Sequence, residues 1–544
     1  LAAPGFIELN EAALSCGAIV FLGLAGQEAG GALADVLTAK VMPAGHLSFS
    51  WPEHAEAFSD ASAAADQFTG YRYFDSFGVP VRYPFGHGLS YGTVAFGSVS
   101  AGLDGCDVTV SAELVNTGEE FAASELVQVY VTRPEGDLTR PVSFLNCFRK
   151  SRLLAPGESQ TITLRFPITE LSVYRESAHA FVLDAGYYDI RIGTSSRACY
   201  LAGSIRLTRS AVVQAAEPLT MPAAQERTRP ENVCFQFPED LAEIEQAHKH
   251  AIRFSDRNLP RRSRRKGREF TGCRPDGAHH TLADVREGRC SVFHLVADMD
   301  TENLERLVCG FGREEASVPG ALGASAAIER YGIPAVQIAG GAQGLRLLRD
   351  IPDEETGEIV RRQCATVFPA PAQLACSFDQ EVVRAVGRAV GLEMAELGVQ
   401  LWLGPDAGVM RSPQEKRFAE KWSEEPVVCG AMTSALAAGA WPYGTAALHA
   451  QSLPETVSVS QSALRDVYGL PFEIAANSCR AAKLPDCAIS GQRLTENSPL
   501  LRAWLLDCGY GGMLWGDETP GSDRIGLEKA AIRILKWMLQ AKKL

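Results

Sequence analysis

Two hydrophobic periods in one chain constrain its fold more than any other feature. Between residues 106 and 210, apolar side chains fall at every second position: Val108, Val110, Ala112 and Leu114, then Val127, Val129 and Val131. Thr161–Phe166 and Tyr188–Ile192 continue the pattern. Turn-forming stretches (Asn116-Thr117-Gly118, Ala155-Pro156-Gly157-Glu158, Ala185-Gly186) separate the runs. A period of two buries one face of each strand, so this stretch predicts a sandwich of the immunoglobulin or fibronectin type, which takes about 100 residues. From residue 311 the pattern changes. Ile333–Ala339 and Val399–Pro405 are short apolar runs suited to buried strands. Between them Val382, Val383, Val386, Val390 and Met394 recur at helical spacing. Alternating strand and helix patterns predict a parallel sheet with crossover helices, as in a (β/α) barrel.

The first residues carry a third signal. Ala18–Leu22 is a continuous apolar run, as expected of a strand buried on both faces. A Gly-rich turn spans Gly23–Gly31, and Gly30–Leu37 opens a helix with an apolar face. Such a turn could cradle phosphate. Gly26-Gln27-Glu28, however, lacks the GxGxxG and GK[ST] patterns and sets an anion where phosphate would sit. Residues 70–91 are dense in aromatics and glycines without a helical period. They suit either sugar stacking or a packed loop between domains. Residues 211–310 form a connector with two helical patches. Its basic run, Arg261–Arg268, reads as a solvated linker in a chain of net charge −13. His279-His280 has no third ligand at metal spacing along the sequence and reads as a helix start.

With 544 residues, 46% hydrophobic and 22% charged, the chain is long enough for two to four domains. The acidic balance disfavours nucleic acid and anionic membranes as partners, and no apolar run is long enough to span a bilayer. The 14 cysteines are scattered singly, without CxxC or zinc-finger spacing. They read as small buried hydrophobes in a reducing, cytoplasmic setting, and no metal or cofactor is expected. Leu1-Ala2-Ala3-Pro4-Gly5 shows no signal peptide and reads as a start partway through a longer protein.

Gly509–Asp517 has the form of a turn, a short apolar strand and one carboxylate at the strand's C-terminal end. Locally, Asp517 fits a helix cap or, at the active-site end of a barrel strand, a catalytic acid. Wider motifs bear on that choice. Tyr83–Tyr91 resembles the YPFGxGLSY signature of glycoside hydrolase family 3, the β-glucosidase and β-xylosidase group. Gly26–Leu37 with Pro43–Leu47 resembles the end of that family's α/β sandwich domain. Arg417–Pro426 resembles GRNFEYxSEDP, Ala463–Tyr468 with Pro471–Glu473 resembles ALREIYLxPFE, and Gly509–Asp517 resembles GFxGxVxSD. The order of segments is similar to that of an inverted subgroup of the family.

The resemblance implies an α/β plus all-β architecture in four parts. Residues 1–95 would be the C-terminal part of an α/β sandwich domain with its aromatic loop, and 96–210 a fibronectin type III-like domain. Residues 211–310 would be the connector. Residues 311–544 would be a (β/α) TIM-like barrel, left incomplete by the short tail after Asp517. The implied function is retaining, exo-acting hydrolysis of terminal β-glucosides or β-xylosides, without cofactor, metal, nucleic acid or membrane; self-association into a homo-oligomer is compatible with this. Retaining enzymes use two carboxylates about 5–5.5 Å apart. The resemblance places the nucleophile at Asp517 and leaves the acid/base unassigned. Arg417, Arg411 and His449 are the implied substrate-binding residues. Several family positions have changed: the sugar-binding Asp is Gly340, the Lys-His pair falls on Ala447 and Leu448, a His is Met410, and the Trp after the nucleophile is Glu518. Deleting a pocket's hydrogen-bond partner costs on the order of 1–3 kcal/mol, so the alternative function is an impaired member kept for carbohydrate binding or as a scaffold.

Overall fold

The computed structural model describes the chain except residues 136–139, 220–223, 225–226, 231–233, 240, 261–269, 354, 414, 416, 450–458, 484–487, 490–491, 494–509, 511, 516–521 and 542–544, and the side chains of 405, 448–449, 483, 488–489, 492–493 and 514–515. Residues 1–91 hold short elements. Helix α1 (Ala29–Leu37) forms as expected, but none of its residues is buried. The predicted strand at Ala18–Leu22 is absent: this run lies beside Leu1, exchanging Leu1 N→Val20 O (2.6 Å) and Leu22 N→Leu1 O (2.8 Å). With no further strand alongside, its apolar side chains settle on aromatic neighbours instead. Phe21 sits 6.1 Å from Phe49 and 5.5 Å from Trp51. Tyr71–Ser76, within the aperiodic aromatic segment, is a short helix (α2).

The sandwich follows. Strands β1 (Val94–Asp104), β2 (Asp107–Asn116), β3 (Leu126–Thr132), β4 (Phe144–Lys150), β5 (Ser159–Pro167), β6 (Gly186–Gly193) and β7 (Cys199–Leu207) form two of its sheets. The three-stranded sheet runs β1-β2-β5. The five-stranded sheet gains a parallel edge strand, β8 (Ile252–Phe254), from the connector and runs β8-β7-β6-β3-β4. In β2, burial alternates residue by residue, as the period of two requires. β3 departs from alternation because both its faces are covered. Val127, Val129 and Val131 fill the sandwich core, while Leu126 and Tyr130 join a second core with Tyr71, Phe85, Phe378 and Trp402.

Helices α3 (Leu282–Arg286), α4 (Val292–Asp298) and α5 (Thr301–Cys309) lead into a seven-stranded sheet. Its strands, in sheet order, are β9 (Phe311–Gly312), β10 (Gly323–Ser325), β11 (Gln337–Gly340), β12 (Leu401–Asp406), β13 (Thr445–His449), β14 (Ala481–Lys483) and β15 (Met513–Trp515). The last five are parallel. Helices α6 (Gln380–Leu397), α7 (Pro426–Ala440) and α8 (Leu470–Ala475) connect them, and α9 (Arg524–Gln540) ends the fold. α6 and α7 approach closely: a Cβ on Gly387 would lie 2.1 Å from the Leu436 carbonyl oxygen. They share a core with Ala339, Trp402, Ala446 and Ala482. The alternate strand residues, Ile338, Leu401, Leu403, Ala447, Ala481 and Met513, pack instead with α4, α5 and α9. Trp537 of α9 donates to Thr445 Oγ1 at 3.0 Å. The result is a half-barrel sheet covered on both faces, and among the described residues it does not close into a TIM barrel.

A buried node joins the three regions. Arg72 of α2 binds Glu425, the cap of α7, through Nε (3.2 Å) and Nη2 (2.8 and 3.0 Å). Tyr71 Oη donates to Glu425 Oε2 (2.8 Å) and accepts from Leu145 N of β4 (2.8 Å). Glu424 Oε1 accepts from Ser50 Oγ (2.7 Å) and Tyr71 N (2.8 Å). Burial pushes Glu424 up to about 7, against the pull of those donors.

A candidate active site at the C-terminal edge of the parallel sheet

Parallel strands send all their C-terminal ends to one edge, where crossover loops leave room for a ligand. Here the register sets Asp406 opposite His449, His449 opposite Lys483, and Lys483 opposite Trp515. Residues able to supply a carboxylate, an imidazole, an ammonium and an indole therefore share one level. Sequence reasoning missed Asp406 and Lys483; their signal is position at a strand end. Asp406 is buried, and its Oδ1 accepts from Gly408 N at 2.7 Å. Lys421, also buried, bridges to Asp406 through the backbone and pairs with Glu415.

Asp517, expected as the nucleophile, lies outside the described residues, as do Glu518, Pro454-Glu455-Thr456 and Ser490-Gly491. His449 ends β13, though its side chain is not among those described. Arg417 is half-exposed, with Nη1 3.6 Å from Glu420. Arg411 is buried, and its Nη2 donates to the carbonyls of Ser62 (2.6 Å) and Ala64 (3.0 Å). This guanidinium holds the first region against the loop after β12.

The altered family positions are built into the packing. β11 ends at Gly340, where a Cβ would meet Leu322 Cδ1 at 2.7 Å. Gly341 follows at φ +129, and its Cβ would strike the Gly344 carbonyl at 2.2 Å, so this turn admits only glycine. The Gly341 carbonyl accepts from Trp402 Nε1 at 2.8 Å. Met410 lies in an apolar cluster with Phe49, Trp51 and Phe418, and Ala447 packs in the core beneath α9.

Other sequence candidates have structural roles. Gln27 N donates to the Val367 carbonyl at 2.9 Å, docking the Gly-rich turn on the half-barrel, and Glu28 is exposed. In the aromatic segment, Phe85 stacks on Tyr71 with centroids 5.0 Å apart, and Tyr83 on His87 at 4.8 Å. These are contacts of a packed connecting loop. The basic run at 261–268 lies outside the described residues.

Comparison with known proteins agrees with this layout. Residues 1–91 match the C-terminal domain of glycosyl hydrolase family 3, residues 125–196 a fibronectin type III-like domain, and residues 335–518 the family's N-terminal domain. Beta-glucosidase A of Butyrivibrio fibrisolvens is 26% identical over 90% of this chain and 64% of its own length. A beta-glucosidase of Ruminococcus albus is 28% identical over 85% of this chain and 49% of its own. The chain thus spans between about half and two thirds of these relatives. A beta-glucosidase structure from Paenibacillus barengoltzii superposes with a TM-score of 0.76, covering 95% of this chain and 64% of that one, at 24% identity, which speaks to the fold. With both family domains present and the C-terminal one placed first, this chain belongs to glycoside hydrolase family 3, in its inverted domain order.

Proposed function

We propose that the chain carries the nucleophile side of a retaining, exo-acting β-glycosidase of the β-glucosidase type, acting on terminal β-glucosides or β-xylosides. The observation that supports this best is the row Asp406, His449, Lys483 and Trp515 on one sheet edge, with Asp517 two residues beyond Trp515 in sequence. In this proposal the sheet is one side of a (β/α) barrel. The Asp517 carboxylate attacks the anomeric carbon while a second carboxyl protonates the leaving oxygen. A glycosyl-enzyme ester forms, and water then cleaves it with the second group as base. Arg417 and His449 would hydrogen-bond sugar hydroxyls, and Arg411 would act by positioning the loop after β12. The acid/base stays unassigned. Assaying the full-length gene product on aryl β-glucosides and β-xylosides tests the proposal. Turnover that Asp517→Asn abolishes, with the fold intact, supports it; turnover that survives the substitution overturns it.

A second reading has its own observation. Gly340 and Ala447 leave the pocket without two of the family's polar partners, and Ala447 is buried in the core. A member so altered would bind carbohydrate without turning it over. Sugar binding with no hydrolysis by the full-length product is its signature.

A further inference from the structure

His280 lacks a partner at metal-ligand spacing along the sequence, but the fold supplies two. Asp276, His280 and His294 each bring one ligand atom into a group whose atoms all lie within 4.8 Å of one another. His280 Nε2 is 3.0 Å from both Asp276 carboxylate oxygens, and His294 Nδ1 is 3.9 Å from Asp276 Oδ2. The two imidazole rings lie nearly parallel, 26° apart, with centroids separated by 5.9 Å. Around a tetrahedral zinc ion with bonds of about 2.0–2.1 Å, neighbouring ligand atoms sit about 3.3–3.4 Å apart. The observed spacings bracket that value, so small side-chain rotations would admit an ion.

Each ligand is held by its own local structure. Asp276 starts a tight turn in which its Oδ1 accepts from Ala278 N (3.0 Å) and Gly277 takes φ +81. The Asp298 carboxylate accepts from His279 Nδ1 (2.8 Å) and His280 N (3.1 Å), fixing the backbone that presents His280. Thr281 then caps α3 with a reciprocal capping box. His294 lies in the first turn of α4, where its N–H bonds the Ser291 cap at 3.3 Å.

We propose that Asp276, His280 and His294 form a binding site for a divalent transition-metal ion, outside the candidate active site. Two imidazoles and one carboxylate suit zinc and its neighbours in the first transition row rather than magnesium or calcium. Three protein ligands leave one tetrahedral position for water. Cys273 N, three residues before Asp276, donates to Glu528 Oε2 of α9 (2.7 Å), so a bound ion would brace a segment already tied to α9. The site's role is thus to pin the turn at Asp276 and the start of α3 to α4, the helix that packs against α9.

The test uses the whole chain, freed of any affinity tag and stripped of metal by chelation. Zn²⁺ is titrated calorimetrically, and Co²⁺ serves as a spectroscopic probe of coordination. The expected result is one site of about 100 μM affinity or tighter, with the intense visible bands of tetrahedral cobalt. Asp276→Asn and His294→Ala, both at exposed side chains, should each weaken binding about tenfold or more, since even outer-sphere changes cost 10–100-fold. His250→Ala, at a histidine elsewhere on the connector, should leave it unchanged. Circular dichroism checks that the variants fold. Absence of saturable binding overturns the proposal, as does equal binding by the Asp276→Asn/His280→Ala/His294→Ala triple variant.

Discussion

Replacing Arg72 by alanine should uncouple the first region from the half-barrel. Of the five hydrogen bonds that the Glu425 carboxylate accepts, Arg72 donates three; Tyr71 Oη and Val427 N donate the others. The pair is fully enclosed, with side-chain exposures of 3% for Arg72 and 0% for Glu425. Burial would lower the Arg72 pKa, but Glu425 and Tyr71 together, through charge and hydrogen bonds, more than offset it, so the guanidinium stays charged. Removing it strands a carboxylate in an apolar core, which costs about 3–5 kcal/mol. For a cooperative unit of 150–250 residues, that corresponds to a fall in Tm of about 6 °C or more. Arg72 also lies over the Phe144 ring at 5.1 Å, so the substitution loosens the sandwich contact as well. Differential scanning calorimetry of the wild type, Arg72→Ala, Arg72→Met, Glu425→Gln and the Arg72→Met/Glu425→Gln double variant gives the answer. The double variant leaves no unpaired buried charge and should recover part of the loss, with a coupling of about 0.5–3 kcal/mol. A Tm for Arg72→Ala within 2 °C of wild type, or strictly additive effects in the double variant, would refute the argument.

Other consequences follow from single sites. Glu424 keeps its proton in the folded state up to about pH 7, whereas the unfolded carboxyl releases it near 4.5. Stability should therefore fall as pH rises across that window, by about 3 kcal/mol from this group, and Glu424→Gln should flatten the slope seen in urea unfolding at pH 5 and pH 8. Gly387→Ala should destabilise by about 1–3 kcal/mol, because its new Cβ would meet the Leu436 carbonyl. Gly30→Ala, on open helix α1 with no atom within 4 Å, should instead stabilise by about 0.4–1 kcal/mol; thermal melts compare the two signs. Gly340→Asp restores the family's carboxylate at the end of β11 and displaces only the flexible tip of half-exposed Leu322. It should tighten sugar binding about tenfold, as read by titration with glucose, and unchanged affinity would count against a sugar site at this edge.

Features set by local period could be read from the sequence, and features set by what packs alongside could not. Helix α6 occupies Gln380–Leu397, where the apolar spacing placed it, and β2 alternates as its valines demand. Ala18–Leu22 has the composition of a strand, yet among the described residues its backbone hydrogen-bonds only to Leu1 along one edge, since a strand needs partners that no local pattern supplies. The reverse holds for β3, whose second buried face follows from Tyr71 and Phe378, distant in sequence. The site divides in the same way. The apolar runs Ile333–Ala339 and Val399–Pro405 do contain strands, Gln337–Gly340 and Leu401–Asp406, whereas His449 entered only through the family resemblance. The burial of Arg411 depends on the carbonyls of Ser62 and Ala64, which lie about 350 residues away. His280 and His294 meet because α3 and α4 reverse the chain between them.

The coverage of the sheet bears directly on the chemistry at its edge. In a closed (β/α) barrel the inward side chains of opposite strands fill the interior and leave the C-terminal mouth open. Here α4, α5 and α9 take over the filling, packing on Ile338, Leu401, Leu403, Ala447, Ala481 and Met513. A polar residue at Ala447 would then have to enter an apolar core, at a cost of roughly 1–3 kcal/mol unless partnered. Alanine at 447 is therefore consistent with one architectural fact, a half-barrel whose inner face is packed by helices. Asp406 stands past the irregularity between Leu403 and Asp406 where the register shifts, and its buried carboxylate is satisfied by the Gly408 amide. Among the described residues, sugar binding at this sheet edge is accordingly expected along the strip from Asp406 through His449 and Lys483, and Gly340→Asp tests whether that strip extends to β11.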